Sequence, residues 1–291
     1  MKDIPVLNVV ANTLPEAWEK AVIAVWDNGI NIKTQYDKSG DPPSKDATVM
    51  VTVSRPFAEP RIHRNFPGGP EELESYRQEV VEGIHDHWVD PESGKWTYTY
   101  HERLFRYCPV EDIRNSNSVR PFTSVNQIEY IVDNLSKSGY SRRAQAIIWM
   151  PTADPQTDDP PCLQRVWTRV VDEEGELYLN MNTHWRSRDL YKAWFMNVYA
   201  LTDLQRMIAE GISKKIGRDV KVGRYMDISD SLHICGSYID RDGVADEVEK
   251  MKKDSFVNRS WETTHPAFEM MTLETREKLA KDPDCYAKGG G

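Results

Sequence analysis

Two β-prone segments joined by a polar turn place the strongest constraint on the fold of this chain. VWTRVV at 166–171 and LYLNMNTHW at 177–185 flank the stretch DEEGE. This pattern predicts a β-hairpin, because a short polar connection containing glycine reverses the chain between two strands. A hairpin pairs its strands antiparallel, whereas a doubly wound sheet needs parallel strands connected by helices. The hairpin therefore disfavours a doubly wound fold.

Helical and β-prone patterns alternate irregularly in the rest of the chain. Helical periodicity predicts helices over residues 14–27, 67–88, 124–141, 188–210 and about 271–281. Runs of β-prone residues predict strands at 48–53, 144–150, 224–229 and 231–239, and a strand or extended segment at 96–107. Because no regular βαβ order appears, the pattern predicts an α+β fold, with residues 1–291 forming a single domain.

Composition and charge exclude several classes of protein. The net charge of −9 argues against general nucleic-acid binding, which needs a basic surface. No apolar run reaches the roughly 20 residues that a membrane span requires, and the N-terminus lacks a signal-peptide pattern, so we expect a cytoplasmic protein. The cysteines form no CxxC pair and no metal-binding motif occurs, so neither a disulfide framework nor a metal site is expected. These cysteines are Cys108, Cys162, Cys235 and Cys285.

One of these cysteines follows an unusual lead-in. The stretch DDPPCLQRVW at 158–167 places two acids and two prolines directly before Cys162, at the start of the predicted hairpin. A rigid turn of this kind can aim a thiol, and the nearby Arg165 favours the thiolate by lowering its pKa. A structural cysteine is the simpler alternative.

An amide interrupts the apolar stripe of the predicted 188–210 helix. Asn197 lies on the face formed by Leu190, Trp194, Leu201 and Leu204. Its amide is either satisfied by the backbone or offered to the edge of a ligand, since asparagine presents a donor and an acceptor side by side. At the entrance of this helix stand Arg186 and Ser187, and Arg142 and Arg143 precede the 144–150 strand. Each pair is either solvated surface charge or part of an anion site.

Taken in order along the chain, these segments resemble one enzyme family. The matching segments are SRRAQAIIW (141–149), PPC (160–162), RSRD (186–189), Asn197 eleven residues after Arg186, and LHI (232–234). Over residues 96–240 they are similar to the thymidylate synthase/deoxycytidylate hydroxymethylase family, and most to its shorter archaeal-type members. The resemblance implies a mixed β-sheet with a long central helix, surrounding helices and a sheet-mediated dimer.

The resemblance also implies a covalent mechanism on a pyrimidine nucleoside monophosphate. Cys162 would add to C6 of the ring, which makes C5 nucleophilic toward the one-carbon unit of 5,10-methylenetetrahydrofolate. Arg186 and Ser187 would bind the nucleotide phosphate. Arg142 and Arg143 would reach the phosphate in the other subunit of a homodimer.

Further roles follow from the same resemblance. Asn197 would bind the base, Asp189 the folate pterin, and His233 the sugar. Cys235 would also face the sugar, at a position where synthases carry tyrosine. A glutamate should organise the water molecule used for proton transfer, and Glu59 is the residue that we assign to this role.

Several positions depart from the family pattern. Leu163 replaces the usual histidine, Trp185 replaces a glutamine, and the chain ends in CYAKGGG instead of an apolar tail. Without a closing tail, water could intercept the methylene intermediate and give a hydroxymethyl product. Three hypotheses therefore stay open: thymidylate synthase acting on dUMP, a pyrimidine nucleotide 5-hydroxymethylase, and a non-catalytic nucleotide-binding relative. Asn197 favours the first, and Cys235 and the missing tail favour the second.

Overall fold

A mixed β-sheet forms the centre of the molecule. The computed structural model describes residues 3–34, 38–90, 93, 96–109 and 124–286. The strands of the large sheet are β1 (Val6–Ala11), β2 (Ile30–Ile32), β3 (Ser44–Val53), β5 (Gln145–Ile147), β6 (Leu163–Glu173), β7 (Glu176–Trp185), β8 (Arg188–Asp189) and β9 (Val220–Ile234). Two short strands, β4 (Ile62–His63) and β10 (Ser260–Trp261), form a separate antiparallel pair.

The strand order β1-β3-β9-β7-β6-β5 combines parallel and antiparallel neighbours. β1 and β3 are parallel, as are β7 and β9, whereas the β3–β9, β6–β7 and β5–β6 pairs are antiparallel. The predicted hairpin is confirmed as β6–β7, and its turn places Glu174 at φ 52° and Gly175 at φ 90°. This left-handed pair matches the twist of the two strands. The mixed sheet, together with the helices of the chain, confirms the α+β prediction.

The helices surround this sheet and supply most of the remaining core. They are α1 (Leu14–Asn28), α2 (Pro70–Glu82), α3 (Tyr100–Phe105), α4 (Gln127–Lys137), α5 (Ala193–Ile216), α6 (Gly236–Arg241), α7 (Val244–Lys253), α8 (Phe256–Arg259) and α9 (Pro266–Lys281). α5 is the long central helix: it packs on β7 and β9, with α1, α2 and α4 beside it. Its buried stripe includes Trp194, Leu201 and Ile208, and Gly217 ends it at φ 67°. Among the described residues, none of the helices combines the length and apolar character needed to cross a bilayer.

The face of the sheet opposite α5 carries a row of side chains from adjacent strands that lie directly across from one another. This row is called here the outer row. Its members are Asn8, Met50, Ile228, His184, Arg165 and Ile147. Met50, Arg165 and Ile147 are exposed on this face. Arg165 therefore lies on the outer face of the hairpin, and not beside the thiol of Cys162 as the sequence suggested.

Several element boundaries differ from the sequence prediction. The strand predicted over 231–239 is wrong in its second half, because β9 ends at Ile234 and residues Gly236–Arg241 form α6. Residues 96–107 contain a helix, α3, because Thr99 caps it by accepting a hydrogen bond from the backbone N–H of Glu102 at 2.9 Å. The second helix stops at Gly83, which adopts φ 69°. The central helix begins only at Ala193, since Arg188–Asp189 pairs with β9 as a short strand.

Candidate active site

Cys162 lies directly before β6, where the chain leaves the Pro160-Pro161 turn. Its side chain is half-buried against the hydrophobic core. The backbone N–H of Arg186 donates to the carbonyl of Cys162 at 3.0 Å, because β6 and β7 pair at this point. Strand pairing therefore brings together the thiol and a guanidinium that are 24 positions apart in sequence.

The guanidinium of Arg186 holds the turn that precedes the cysteine. Its Nε donates to the carbonyl of Pro161 at 3.1 Å, and an Nη donates to the carbonyl of Pro160. The carboxylate of Asp159 lies 3.9 Å away. Part of the guanidinium remains exposed, and Ser187 follows it in a half-buried position. Arg186 thus positions the Pro-Pro turn while keeping solvent access for an anion.

The electrostatic environment of the thiol is mixed. Burial raises the pKa of Cys162 above its usual range, while the positive charges of Arg186 and Arg188 act in the opposite direction and Asp159 adds to the increase. The sequence predicted a lowered pKa from a nearby arginine. Desolvation outweighs the two guanidinium groups, so the net pKa of the thiol is raised and not lowered.

Arg188 is a buried residue whose importance the sequence did not show. Its side chain is 1% exposed and forms an ion pair with the fully buried Asp227 at 2.6 Å. It also donates to the hydroxyl of Ser229 at 3.0 Å and stacks 4.2 Å from the ring of Trp185. Trp194 Nε1 donates to the same carboxylate of Asp227 at 3.1 Å. The only sequence signal was an aspartate at an inward-facing position of β9.

A cavity of about 750 Å³ with aromatic walls opens beside the Pro160-Pro161 turn. Its lining residues include Tyr76, Glu79, Trp96, Tyr98, Tyr100, Asp158 and Asp159. The hydroxyl of Tyr100 accepts from the backbone N–H of Leu163 at 3.4 Å, which links the cavity wall to the residue after Cys162. A volume of this size is typical of small-molecule sites.

Asn197 reaches this cavity through a tyrosine. The amide nitrogen of Asn197 donates to the hydroxyl of Tyr76 at 2.7 Å, and Tyr76 forms part of the wall. The asparagine is 7% exposed, so its amide lies behind the tyrosine. Cys162 and Arg186 lie together at the Pro160-Pro161 turn and Asn197 lies behind Tyr76, but none of the three lines the cavity itself.

Glu79 is the carboxylate of α2 that lines the cavity, and it was not among the residues predicted from the sequence. Its Oε2 lies 2.8 Å from Nδ1 of His85. It follows Tyr76 by three positions, so both side chains lie on the same side of the helix. This spacing next to an apolar stripe was the signal that could have identified it.

Glu59, which the sequence analysis assigned to the proton-transfer role, lies elsewhere. It is exposed, and its carboxylate accepts hydrogen bonds from the backbone N–H and the hydroxyl of Thr263 just before α9. It does not line the aromatic cavity. The local sequence AEPRIH contained no information about which helix it would approach.

The remaining candidates form two separate groups. Asp189 Oδ1 accepts from the backbone N–H groups of Tyr191 and Lys192 at 2.9 and 3.1 Å, and its Oδ2 accepts from the hydroxyl of Tyr238 at 2.8 Å. His233 pairs with Asp189 along β8 and β9 and is half-buried. Cys235, also half-buried, directly follows β9 and precedes α6.

Arg142 and Arg143 lie at the other edge of the sheet, before β5. Both side chains are exposed, and their backbone carbonyls accept from Trp167 Nε1 and the hydroxyl of Tyr130. Neither guanidinium forms an ion pair with another described residue of the chain. Their side chains are therefore accessible at this edge of the sheet.

Comparison with known proteins agrees with this architecture. The family model described as thymidylate synthase matches residues 70–269 of the chain. A protein of Methanosarcina mazei named "Putative thymidylate synthase" is 29% identical over 226 residues, covering 77% of this chain and 87% of that protein. A protein of the same name from Methanocaldococcus jannaschii is 27% identical over 235 residues, covering 79% and 90%.

A solved structure shows the same fold. Thermostable thymidylate synthase A from Bacillus subtilis superposes with a TM-score of 0.57 at 17% identity, covering 86% of this chain and 94% of that protein. The predicted mixed sheet with a long central helix is thereby confirmed as the thymidylate synthase fold. The predicted likeness to archaeal members of the family is confirmed as well.

Proposed function

Because the chain belongs to the thymidylate synthase family, we propose that it transfers a one-carbon unit to C5 of a pyrimidine nucleoside monophosphate. The specific reaction is the conversion of dUMP and 5,10-methylenetetrahydrofolate to dTMP and dihydrofolate. The observation that carries the proposal is the juxtaposition of Cys162 and Arg186 beside the aromatic cavity, with Asn197 held against its wall through Tyr76.

Cys162 is the nucleophile in this reaction. In its thiolate form, which the positive charges of Arg186 and Arg188 favour, its sulfur bonds to C6 of the pyrimidine, and the electrons of the C5–C6 double bond move toward the C4 carbonyl oxygen, which makes C5 nucleophilic. Loss of the proton at C5 and cleavage of the sulfur–C6 bond later restore the ring and the thiol. The Pro160-Pro161 turn, fixed by Arg186, limits the positions that the sulfur can adopt.

The size and the aromatic walls of the cavity support a folate as the cosubstrate. Bound 5,10-methylenetetrahydrofolate supplies the one-carbon unit and, in the synthase reaction, the hydride that reduces it to methyl. The rings of Trp96 and Tyr98 offer flat surfaces on which a heteroaromatic ring can stack. Asp189 is our proposed pterin ligand, although both of its carboxylate oxygens already accept hydrogen bonds within the protein.

We assign the proton-transfer carboxylate to Glu79 and not to Glu59. Glu79 lines the cavity and is hydrogen-bonded to a buried histidine, whereas Glu59 is exposed and bound to Thr263. A general acid or base must come within hydrogen-bond reach of the substrate, directly or through one water molecule. His233 and Cys235 keep their proposed contacts with the sugar, and Asn197 its contact with the base.

A homodimer completes the phosphate site in this proposal. Arg186 and Ser187 bind the phosphate from within the subunit, and Arg142 and Arg143 of the partner subunit approach it from outside. The outer row supplies the contact surface, because exposed apolar side chains such as Met50 and Ile147 lie on this sheet face.

Light scattering should give a dimer mass for the wild type and a monomer mass for Met50→Asp, with the exposed α9 substitution Met270→Asp as control. A monomeric wild type would remove this part of the proposal.

The C-terminal residues favour the synthase over the hydroxymethylase. The Asp284 carboxylate accepts from Trp88 Nε1 at 2.7 Å, and Trp88 packs edge-on to Trp96 with ring centroids 5.0 Å apart. Trp96 is part of the cavity wall. Through Trp88, residues 282–286 support the Trp96 wall of the cavity, and we propose that this wall limits the access of water to a reactive intermediate. Cys235, in place of a tyrosine, is the feature that supports the hydroxymethylase alternative.

A product analysis separates the candidate functions. The full chain is incubated with dUMP, UMP, dCMP or CMP and methylenetetrahydrofolate, and product mass and dihydrofolate are measured. The proposal requires a methylated product with an equivalent of dihydrofolate. A hydroxymethyl product without dihydrofolate identifies the alternative, and nucleotide binding without any product identifies a non-catalytic relative. Cys162→Ala should abolish turnover, whereas Cys108→Ala, which changes an exposed cysteine, should leave it unchanged.

A further inference from the structure

The imidazole of His85 bridges the cavity carboxylate and the end of the chain. Nδ1 lies 2.8 Å from Oε2 of Glu79, and Nε2 lies 3.0 Å from the backbone carbonyl oxygen of Pro283. The side chain is only 4% exposed, and its ring stacks on Trp88 with centroids 3.7 Å apart and planes within 8°. Both ring nitrogens and one ring face are therefore held by other parts of the protein.

The chemistry of these two partners restricts where the protons lie. A backbone carbonyl can only accept a hydrogen bond, so Nε2 of His85 must carry a proton. Nδ1 and the carboxyl group of Glu79 then share one further proton. Either the imidazolium donates from Nδ1 to the carboxylate, or the protonated carboxyl group donates to a neutral Nδ1. The proton can move between these atoms without any change in the heavy-atom positions.

The residues that follow α9, 282–286, hold the Pro283 carbonyl in place and are called here the C-terminal segment. The Asp284 carboxylate accepts from Trp88 Nε1 at 2.7 Å and contacts Nε2 of His87 at 2.9 Å. These contacts anchor the segment on the short helix at 86–88, next to His85. The segment is thus positioned by side chains other than the histidine itself.

We propose that His85 is a positioning residue for Glu79, and that the docked C-terminal segment fixes its proton on Nε2 so that Nδ1 exchanges a proton with the cavity carboxyl group. This inference rests on the proposed function of Glu79 in the cavity. It gives the C-terminal segment a second role beyond supporting the Trp96 wall of the cavity. Undocking of the segment would remove the acceptor that holds the Nε2 proton.

The charged groups around the imidazole agree with this arrangement. Burial lowers the pKa of His85, but the hydrogen bonds to Glu79 and to the Pro283 carbonyl outweigh it, and the net pKa is raised. Asp284, on the C-terminal segment, contributes in the same direction. The neighbouring Asp86 and His101 pair with each other at 2.8 Å. The shared proton should therefore be retained above the pH at which an ordinary histidine loses it.

Nitrogen-15 NMR of the full chain tests the proton positions without depending on activity. The seven histidines are assigned by single substitutions, with the exposed His265→Gln as a control. We expect the Nε2 proton of His85 to persist across neutral pH, and Glu79→Gln to lower the pKa of His85 without moving that proton. Asp284→Ala should weaken the anchor and give a mixture of tautomers. A neutral Nδ1–H tautomer, or a His85 pKa unchanged by Glu79→Gln, would overturn the proposal.

Kinetics provide the second readout. His85→Phe keeps the stacking on Trp88 but removes both hydrogen bonds, and should lower kcat by roughly tenfold or more with little change in the KM for nucleotide. His85→Gln, which can still donate to the carbonyl, should recover part of the loss. Equal activity of wild type and His85→Phe would refute the positioning role. If the wild type turns over no nucleotide at all, the proposed function fails, while the NMR titration still decides the proton arrangement.

Discussion

Replacement of Arg188 by methionine should destabilise the protein strongly and in a pH-dependent way. Arg188 is the ion-pair partner of Asp227, whose side chain is 0% exposed. The distance from Nη2 of Arg188 to Oδ1 of Asp227 is 2.6 Å. Methionine approximates the volume of the arginine stem but leaves the carboxylate without its counter-charge. Removing one partner of a buried ion pair typically costs about 3–5 kcal/mol. Because native domains are stable by only about 5–15 kcal/mol, this loss is large.

The sign of the pH dependence follows from the pKa of Asp227. Burial already raises this pKa in the wild type, although the charge of Arg188 and hydrogen bonds from Arg188 and Trp194 oppose the increase. Without Arg188 the pKa of the folded state rises further above that of the unfolded state. Between these two pKa values the folded state binds more protons, so its stability falls as pH rises. The destabilisation should be smallest below the ordinary aspartate pKa and should increase toward neutral pH.

Urea unfolding at several pH values measures both effects. We expect a lower free energy of unfolding for Arg188→Met, with the deficit increasing between about pH 4 and pH 7. The double variant Arg188→Met/Asp227→Asn keeps an acceptor for Trp194 and removes the buried charge, so it should recover most of the loss. A single variant as stable as the wild type at neutral pH, or a deficit that does not depend on pH, would refute the reasoning.

Three further experiments test the assignment of the active-site residues and their packing. Glu79→Gln should lower kcat by about 10²–10⁴-fold, the usual contribution of a general acid or base, whereas Glu59→Gln should have little effect in the same steady-state assay. The rate at which iodoacetamide alkylates Cys162 should be low at neutral pH and should rise with pH, with a midpoint above the usual thiol pKa. Arg186→Met should move that midpoint higher. A midpoint below the usual thiol pKa would contradict the conclusion that burial dominates. Tyr76→Phe should cost about 1–3 kcal/mol in urea unfolding because it leaves a buried amide unpaired, and an unchanged stability would show that the amide finds another acceptor.

The hairpin and the central helix show how much of the fold could be predicted from local patterns. DEEGE between two β-prone runs defines β6 and β7, and the apolar stripe defines most of α5, because both signals depend on neighbours within a few positions. The segment 96–107 was predicted incorrectly, since a single capping contact by Thr99 outweighs its alternating pattern. The start of α5 was also displaced, because pairing of Arg188–Asp189 with β9 is a long-range interaction.

The candidate site divides in the same way. Cys162, Arg186 and Asn197 could be proposed from the sequence because each stands in an unusual local setting and their order resembles one family. Their assigned roles stay proposals. His85 could not be identified, and Glu79 had only its spacing from Tyr76 as a signal, because an acid and a histidine in a polar helical stretch are typical of a solvated surface. Only their packing against the cavity and the C-terminal segment distinguishes them from such residues.

The amino-acid sequence by itself determined the α+β class, the family resemblance and the cysteine that we propose as nucleophile, since these depend on residue type, order and short-range periodicity. The tertiary structure decided which carboxylate lines the cavity, that burial outweighs two arginines at the thiol, and that the end of the chain contacts His85. These properties depend on desolvation and on contacts between residues up to about 200 positions apart, and no local pattern records either of them.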